Sequence, residues 1–242
     1  MSRASGLEKV ASELIDDLKE LANPKNVKGM GRYGINVDNA LGIPMPVIRT
    51  MAKRIGRNHE LAQLVWDSKI HEARILAALI DEPKKVTFEQ MESWILEVDS
   101  WDVCDQLCAN LLDKTIYAYP AAKAWSKRDE VFVKRAGYVL MAALAVHDKK
   151  AKDEVFLEFL ESICEGSSDD RNFVKKSVNW ALRQIGKRNL ELNKAATSMA
   201  ERIDKSGSSS SHWIAKDALR ELKSETTYTR LTRKAIPSKS RR

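Results

Sequence analysis

The chain has 242 residues, 43% hydrophobic and 31% charged, enough to bury a full core; this excludes disorder of the whole and favours one domain or one continuous repeat array. Its formal charge of +7 invites a polyanionic partner, yet the stretch from Lys223 to Arg242 holds seven cations and one acid. The body is then close to neutral, and only the placement of charge on particular faces can argue for a partner.

Helical periodicity runs in chain order through Leu7 to Leu21, Pro46 to Ile55, His59 to Trp66, His71 to Ile80, Phe88 to Val98, Trp101 to Leu111 and Asp129 to Leu144. It continues through Asp153 to Ile163, Asp170 to Gly186, Leu190 to Ile203 and Ser211 to Leu222, with short connections and almost no strand-type alternation. Pro46 suits a first helical position, Thr87 with Gln90 and Ser100 suit caps, and Gly186 and Gly207 stand near helix ends. The segment Gly29 to Ile43, rich in Gly and Asn, is the least regular part of the body. Residues 1–222 are expected to form a single all-α domain, and 223–242 a basic, disordered tail holding Arg230, Arg233, Lys234, Lys239, Arg241 and Arg242. That tail is either a solvated end or an arm for DNA.

The longest strongly apolar stretch, Ala136 to Val146, is too short to cross a bilayer, and no secretory signal is visible. Cys104, Cys108 and Cys164 form no disulfide framework, and no CxxC pair or His cluster offers a metal site. The expectation is a cytoplasmic or nuclear monomer with no metal, no cofactor and no membrane contact.

Aligning the helices around Arg74, Asp105, Arg135, Lys176 and Lys216 gives spacings of 31, 30, 41 and 40 residues, which is repeat spacing. Two positions before this column stand Val103, Val133, Val174 and Ile214, with Glu72 the one misfit; six positions after it stand Ile80, Leu111, Met141, Leu182 and Leu222. The column is therefore the polar face of a repeated amphipathic helix, and helix pairs at this period predict an α-solenoid of HEAT or armadillo type with a concave surface. A row of Arg and Lys along that surface suits a phosphate backbone, which the single carboxylate in the row, Asp105, would repel. An acid there is expected to have a chemical task.

On the helix from Asp170 to Gly186, Val174, Val178, Ala181, Leu182 and Ile185 form the buried stripe, and Lys176, Trp180, Arg183 and Lys187 fall together opposite it. Trp180 is either covered by a neighbouring element or left as a platform for a sugar or base. On the helix from Trp101, Val103, Cys104, Leu107 and Leu111 point inward, and Trp101 and Asp105 lie one turn apart on another face. Asp102 fits a purely electrostatic role in the first helical turn. Cys104 and Cys108 read as packing residues, Trp66, Trp94 and Trp125 as core, and Trp213 as either.

The segments LGIPMPVIR, SWDVCDQ, VKRAGYVLMAAL and RNFVKKSVNWALRQIGKRN, in this order and spacing, resemble the AlkD-type DNA alkylation-repair glycosylases with HEAT-like repeats, over about Tyr33 to Leu222, the first of them their N-terminal region. The resemblance implies a curved helical enzyme that excises cationic N3- and N7-alkylated purines from double-stranded DNA. It further implies Asp105 as the catalytic aspartate, Trp101 and Trp180 as tryptophans against the damaged nucleotide's sugar, and Arg135 as the arginine beside that site. Arg183 matches a DNA-contacting arginine and Tyr33 an aromatic near the lesion. Arg74, Lys176, Lys187 and Lys216 complete the expected DNA contacts. Two alternatives stand beside this reading: a catalytically silent HEAT-type DNA-binding protein, and a scaffold for an acidic protein.

Overall fold

The computed structural model describes residues 3–235. Fourteen α-helices and two short 3-10 helices make up its regular structure, with no strand among the described residues. They fall into two compact units, the first ending at Tyr117 and the second beginning at Ala118. No helix among the described residues is long and apolar enough to cross a membrane.

The first unit contains α1 (Arg3–Glu20), α2 (Pro24–Met30), α3 (Met45–Ile55), α4 (His59–Trp66), α5 (His71–Ile80), α6 (Phe88–Leu96) and α7 (Trp101–Asn110). Its centre is α5, whose residues are all buried except Leu79, because an apolar run from Ile75 to Ile80 fills the core and His71, Glu72 and Arg74 each find polar partners. Helices α1, α3, α4 and α7 pack on it. The Trp66 and Trp94 rings stack 4.1 Å apart and almost parallel, tying α6 to α4 inside the core expected for both. Thr87 caps α6 by accepting the Gln90 N–H at 3.2 Å, as its position suggests. Ser100 precedes α7 but makes no such cap; its hydroxyl donates to Asp102 instead, at 2.7 Å.

Glu72, the misfit of the apolar column, is 1% exposed. Its carboxylate accepts three consecutive backbone N–H groups, from Leu41 at 2.8 Å, Gly42 at 2.6 Å and Ile43 at 3.2 Å. A buried charge is tolerable only with such partners. At Gly42 the backbone has φ +77°, and a Cβ would lie 2.4 Å from the Asn23 carbonyl oxygen, so only glycine fits. The segment that reads as least regular is thus fastened to α5. A 3-10 helix at Gly31–Tyr33 forms within it, and α2 runs into its start; periodicity gave neither, since α2 and the 3-10 helix bury none of their residues.

The second unit contains α8 (Ala118–Trp125), α9 (Val131–His147), α10 (Asp153–Gly166), α11 (Asn172–Gly186), α12 (Leu190–Asp204), α13 (Ser209–Leu222) and α14 (Glu225–Ala235). Helix α8 is a further addition to the expected set; its small Ala121 and Ala122 and its Trp125 are buried. Gly137 lets α9 lie against it, because a Cβ there would come within 2.4 Å of the Ser126 backbone nitrogen. Helix α11 packs on α9 and α13. Its links to α13 advance together along both helices, Asn179 to Asp217 at 2.7 Å and then Lys187 to Glu221 at 2.8 Å, so the two run parallel as corresponding members of successive repeats.

The expected tail needs correction at its start. Residues 225–235 form α14, which packs on α12 and α13 with Thr227 and Leu231 buried, and Ser224 accepts the Thr227 N–H at 3.2 Å. One leucine and one threonine hold this helix, too few apolar residues for a periodic pattern to register. Residues 236–242 lie outside the described residues.

Candidate functional site

In the first unit the site is built on α7. Val103, Cys104, Leu107 and Cys108 face the core, which leaves Trp101 and Asp105, one turn apart, half-buried on the other side. The beginning of the helix is locked by a buried couple. His71 Nε2 of α5 donates to Asp102 at 2.8 Å, and the Ser100 hydroxyl donates to the other carboxylate oxygen at 2.7 Å. Burial favours a neutral Asp102 and a neutral His71, but their mutual hydrogen bond wins, lowering the Asp102 pKa and raising that of His71. The Trp101 indole N–H donates to the Tyr33 carbonyl at 3.1 Å, so the ring is aimed by backbone of the Gly31–Tyr33 helix. Tyr33 itself is 74% exposed.

Arg74 does not behave as a surface cation. It is buried, donates to the Glu97 backbone carbonyl at 2.9 Å and to its carboxylate at 3.0 Å, and lies 5.1 Å over the Trp66 ring. Trp66 donates to the same Glu97 carboxylate at 3.1 Å. The repeat column identifies the face on which Arg74 begins; it says nothing of the acid at Glu97 that folds it inward.

In the second unit the cations divide. Arg135 on α9 is buried and donates to the Phe173 carbonyl at 2.7 Å. On α11, Lys176 is exposed and Trp180 half-buried. Further along, Arg183 pairs with Asp217 at 3.1 Å and with Glu221, and Lys187 pairs with Glu221 at 2.8 Å. Burial would raise the Glu221 pKa, but Lys187 and Arg183 together lower it. Lys216 on α13 is exposed, and neither it nor Lys176 forms an ion pair among the described residues. The structure thus joins Arg183 and Lys187 in one network with acids of α13 and leaves Lys176 and Lys216 outside it.

Sequence reasoning missed the His71–Asp102 couple, the Tyr33 carbonyl, and the acids Glu97, Asp217 and Glu221. Only the last two had a visible signal: Asp217 and Glu221, one turn apart on α13, are complementary to Arg183 and Lys187 on α11. Cys104 and Cys108 are fully buried thiols, and burial pushes the Cys108 thiol well above its ordinary range, so nucleophilic chemistry there is unfavourable. No group of three or more potential metal ligands occurs among the described residues.

Stacked helices joined by short connections define a helical-repeat protein; its first unit presents a tryptophan and a carboxylate on α7, and its second unit presents exposed lysines on α11 and α13. A solved structure from a family of proteins related to the HEAT-like repeat DNA glycosylases, with affinity for branched DNA structures, is similar in fold. Its TM-score is 0.72 at 18% identity, over 87% of this chain and 95% of that one. The chain belongs to the DNA alkylation repair enzyme family, whose profile matches residues 14–222. An uncharacterised protein of Listeria monocytogenes is 27% identical over 130 residues, 52% of this chain; the match spans only 58% of that protein's length. Another, from Listeria innocua, is 23% identical over 197 residues, 80% of this chain and 86% of that protein.

Proposed function

We propose that this chain is a monofunctional DNA glycosylase that hydrolyses the N-glycosidic bond of cationic N3- and N7-alkylated purines in double-stranded DNA. The observation that carries this reading is the pairing of Trp101 and Asp105 one turn apart on α7, inside the span matched by the repair family, with the start of that helix braced by the Tyr33 carbonyl on Trp101 and by the His71–Asp102 couple.

Cleavage leaves the bonding electrons with the base, which departs neutral because alkylation had already made its ring positive. No second carboxylic acid is needed to protonate the leaving group, unlike in conventional glycoside hydrolysis. Positive charge builds on the sugar, and the Asp105 carboxylate stabilises it and orients a water. Water oxygen bonds to the anomeric carbon, its proton passes to the carboxylate or solvent, and an abasic site remains. Trp101 offers an apolar wall to the sugar. In the second unit Trp180, Lys176 and Lys216 are retained as DNA contacts, with Arg183, Lys187 and Arg135 in supporting roles; in the first unit Tyr33 is an exposed aromatic contact. Arg74, being buried on Glu97, is left out of the DNA-binding set.

The test is release of free base from duplex DNA containing N7-methylguanine at low salt. Wild type is expected to release it, and Asp105→Asn to lower the rate at least ~100-fold while binding DNA equally or more tightly, since a charge repelling phosphate is removed. The second reading is a silent DNA-binding protein, supported by the fold shared with a relative described by its affinity for branched DNA. Folded wild type that binds DNA without releasing base would select it.

A further inference from the structure

The repeat pattern places an aromatic residue three positions before the cationic column in each of the last three inner helices: Phe132, Phe173 and Trp213. Phe132 and Phe173 pack on one another with ring centres 5.5 Å apart. Trp213 has a different setting. The residue is 40% exposed, and the Lys175 ammonium of α11 sits 5.2 Å from its ring centroid. One turn further along α13 stands exposed Lys216, and next to Lys175 stands exposed Lys176. Of the nearby acids, Asp217 and Asp204 are engaged elsewhere, while Asp170, just before α11, is exposed. Asp217 accepts from Asn179, Arg183 and Arg220, and Asp204 accepts from His212 at 2.7 Å.

We propose that Trp213 with Lys175, Lys176 and Lys216 forms a binding site for an unpaired nucleotide of DNA, the base stacking on the indole and its phosphate and the next one meeting the lysines. A half-exposed indole bordered by cations has the two properties such a site needs: a flat face that accepts any base, and charge complementary to the backbone. A plain duplex hides its base faces and can use only the lysines. The site therefore adds affinity for single-stranded ends or gaps beside the duplex. It rests on the DNA-binding part of the function proposed above and is independent of catalysis at Asp105.

The experiment compares a blunt duplex with the same duplex carrying a single-stranded thymidine overhang, by fluorescence anisotropy at low salt, using the full chain. Wild type is expected to bind the overhang form at least ~5-fold more tightly, Trp213→Ala to erase that difference, and Trp213→Phe to restore part of it. Blunt-duplex affinity stays near wild type in Trp213→Ala, and a thermal melt confirms that the variant is folded. Equal affinity of wild type for both duplexes, or an overhang preference that survives in Trp213→Ala, overturns the proposal. So does equal weakening of both duplexes, which would make Trp213 a general contact. Base release from a blunt lesion duplex, followed in parallel, separates the two claims: Trp213→Ala should retain it, whereas its absence in wild type bears on the glycosylase reading alone.

Discussion

The two ends of α11 carry the same kinds of residue in opposite circumstances. Toward its start, Lys175 and Lys176 have no acid partner among the described residues; toward its end, Arg183 and Lys187 are held by Asp217 and Glu221 of α13. Helical spacing places Lys176, Arg183 and Lys187 on one face and makes them look equivalent. Their partners make them different: the first is available to a polyanion, while the others brace two helices and would have to surrender an ion pair to meet phosphate. Arg74 in the first unit extends the contrast, since it has left the surface altogether.

Breaking the buried arginine should have the largest effect. Arg74→Ala removes the partner of Glu97 and a guanidinium resting on Trp66, and should destabilise folding by about 2–3 kcal/mol, less than for a fully buried pair because Glu97 is 40% exposed on its side chain. Urea denaturation measures this, and the salt dependence of DNA binding should stay as in wild type. A normal stability with a shallower salt slope would return Arg74 to the DNA row.

The next contrast lies within the second unit. Lys176→Ala and Lys216→Ala should each reduce the slope of log affinity against log salt by about one, with little effect on stability. Arg183→Ala should change the slope less and lower the melting temperature more. Glu221→Gln inverts the experiment: freeing Lys187 from its acid and leaving Arg183 with Asp217 alone should tighten DNA binding and steepen the slope. Equal slope losses at Lys176 and Arg183 would erase the distinction.

The smallest effect concerns pH. His71 has a raised pKa, so its contribution to stability is full below its unfolded value near ~6.5 and is lost as pH rises through the folded value. Asp102 has a lowered pKa, so its contribution is present above its unfolded value near ~3.9 and is lost as pH falls through the folded one. Together they stabilise α7 most between roughly pH 4 and 6.5. The urea midpoint should decline as pH is raised from about 6 to 8, and His71→Gln should remove that part of the decline. An unchanged pH profile in the variant would show that the couple does not titrate in this range.

The helices could be read from sequence wherever one apolar stripe recurs, as in α4 and α5, whose bounds match the expected ones residue for residue. They could not be read where alanines, a proline or a few isolated apolar residues suffice, as in α2, α8 and α14. At the candidate site, the face of α7 was legible because Trp101 and Asp105 stand one turn apart against an inward stripe. The fate of each cation was not, because it depends on acids more than twenty residues away: Glu97 for Arg74, Asp217 and Glu221 for Arg183 and Lys187. Periodicity reports which side of a helix a residue leaves from, and pairing is decided after the chain has folded.

Glu72 illustrates a hazard for anyone who would regularise the repeats. A consensus built from the apolar column would put valine there, improving the pattern and, on paper, the core. The exchange would strand the N–H groups of Leu41, Gly42 and Ile43, loosening the segment downstream of Tyr33, whose carbonyl aims Trp101. An idealised version of this protein could thus be a better solenoid and a worse tool.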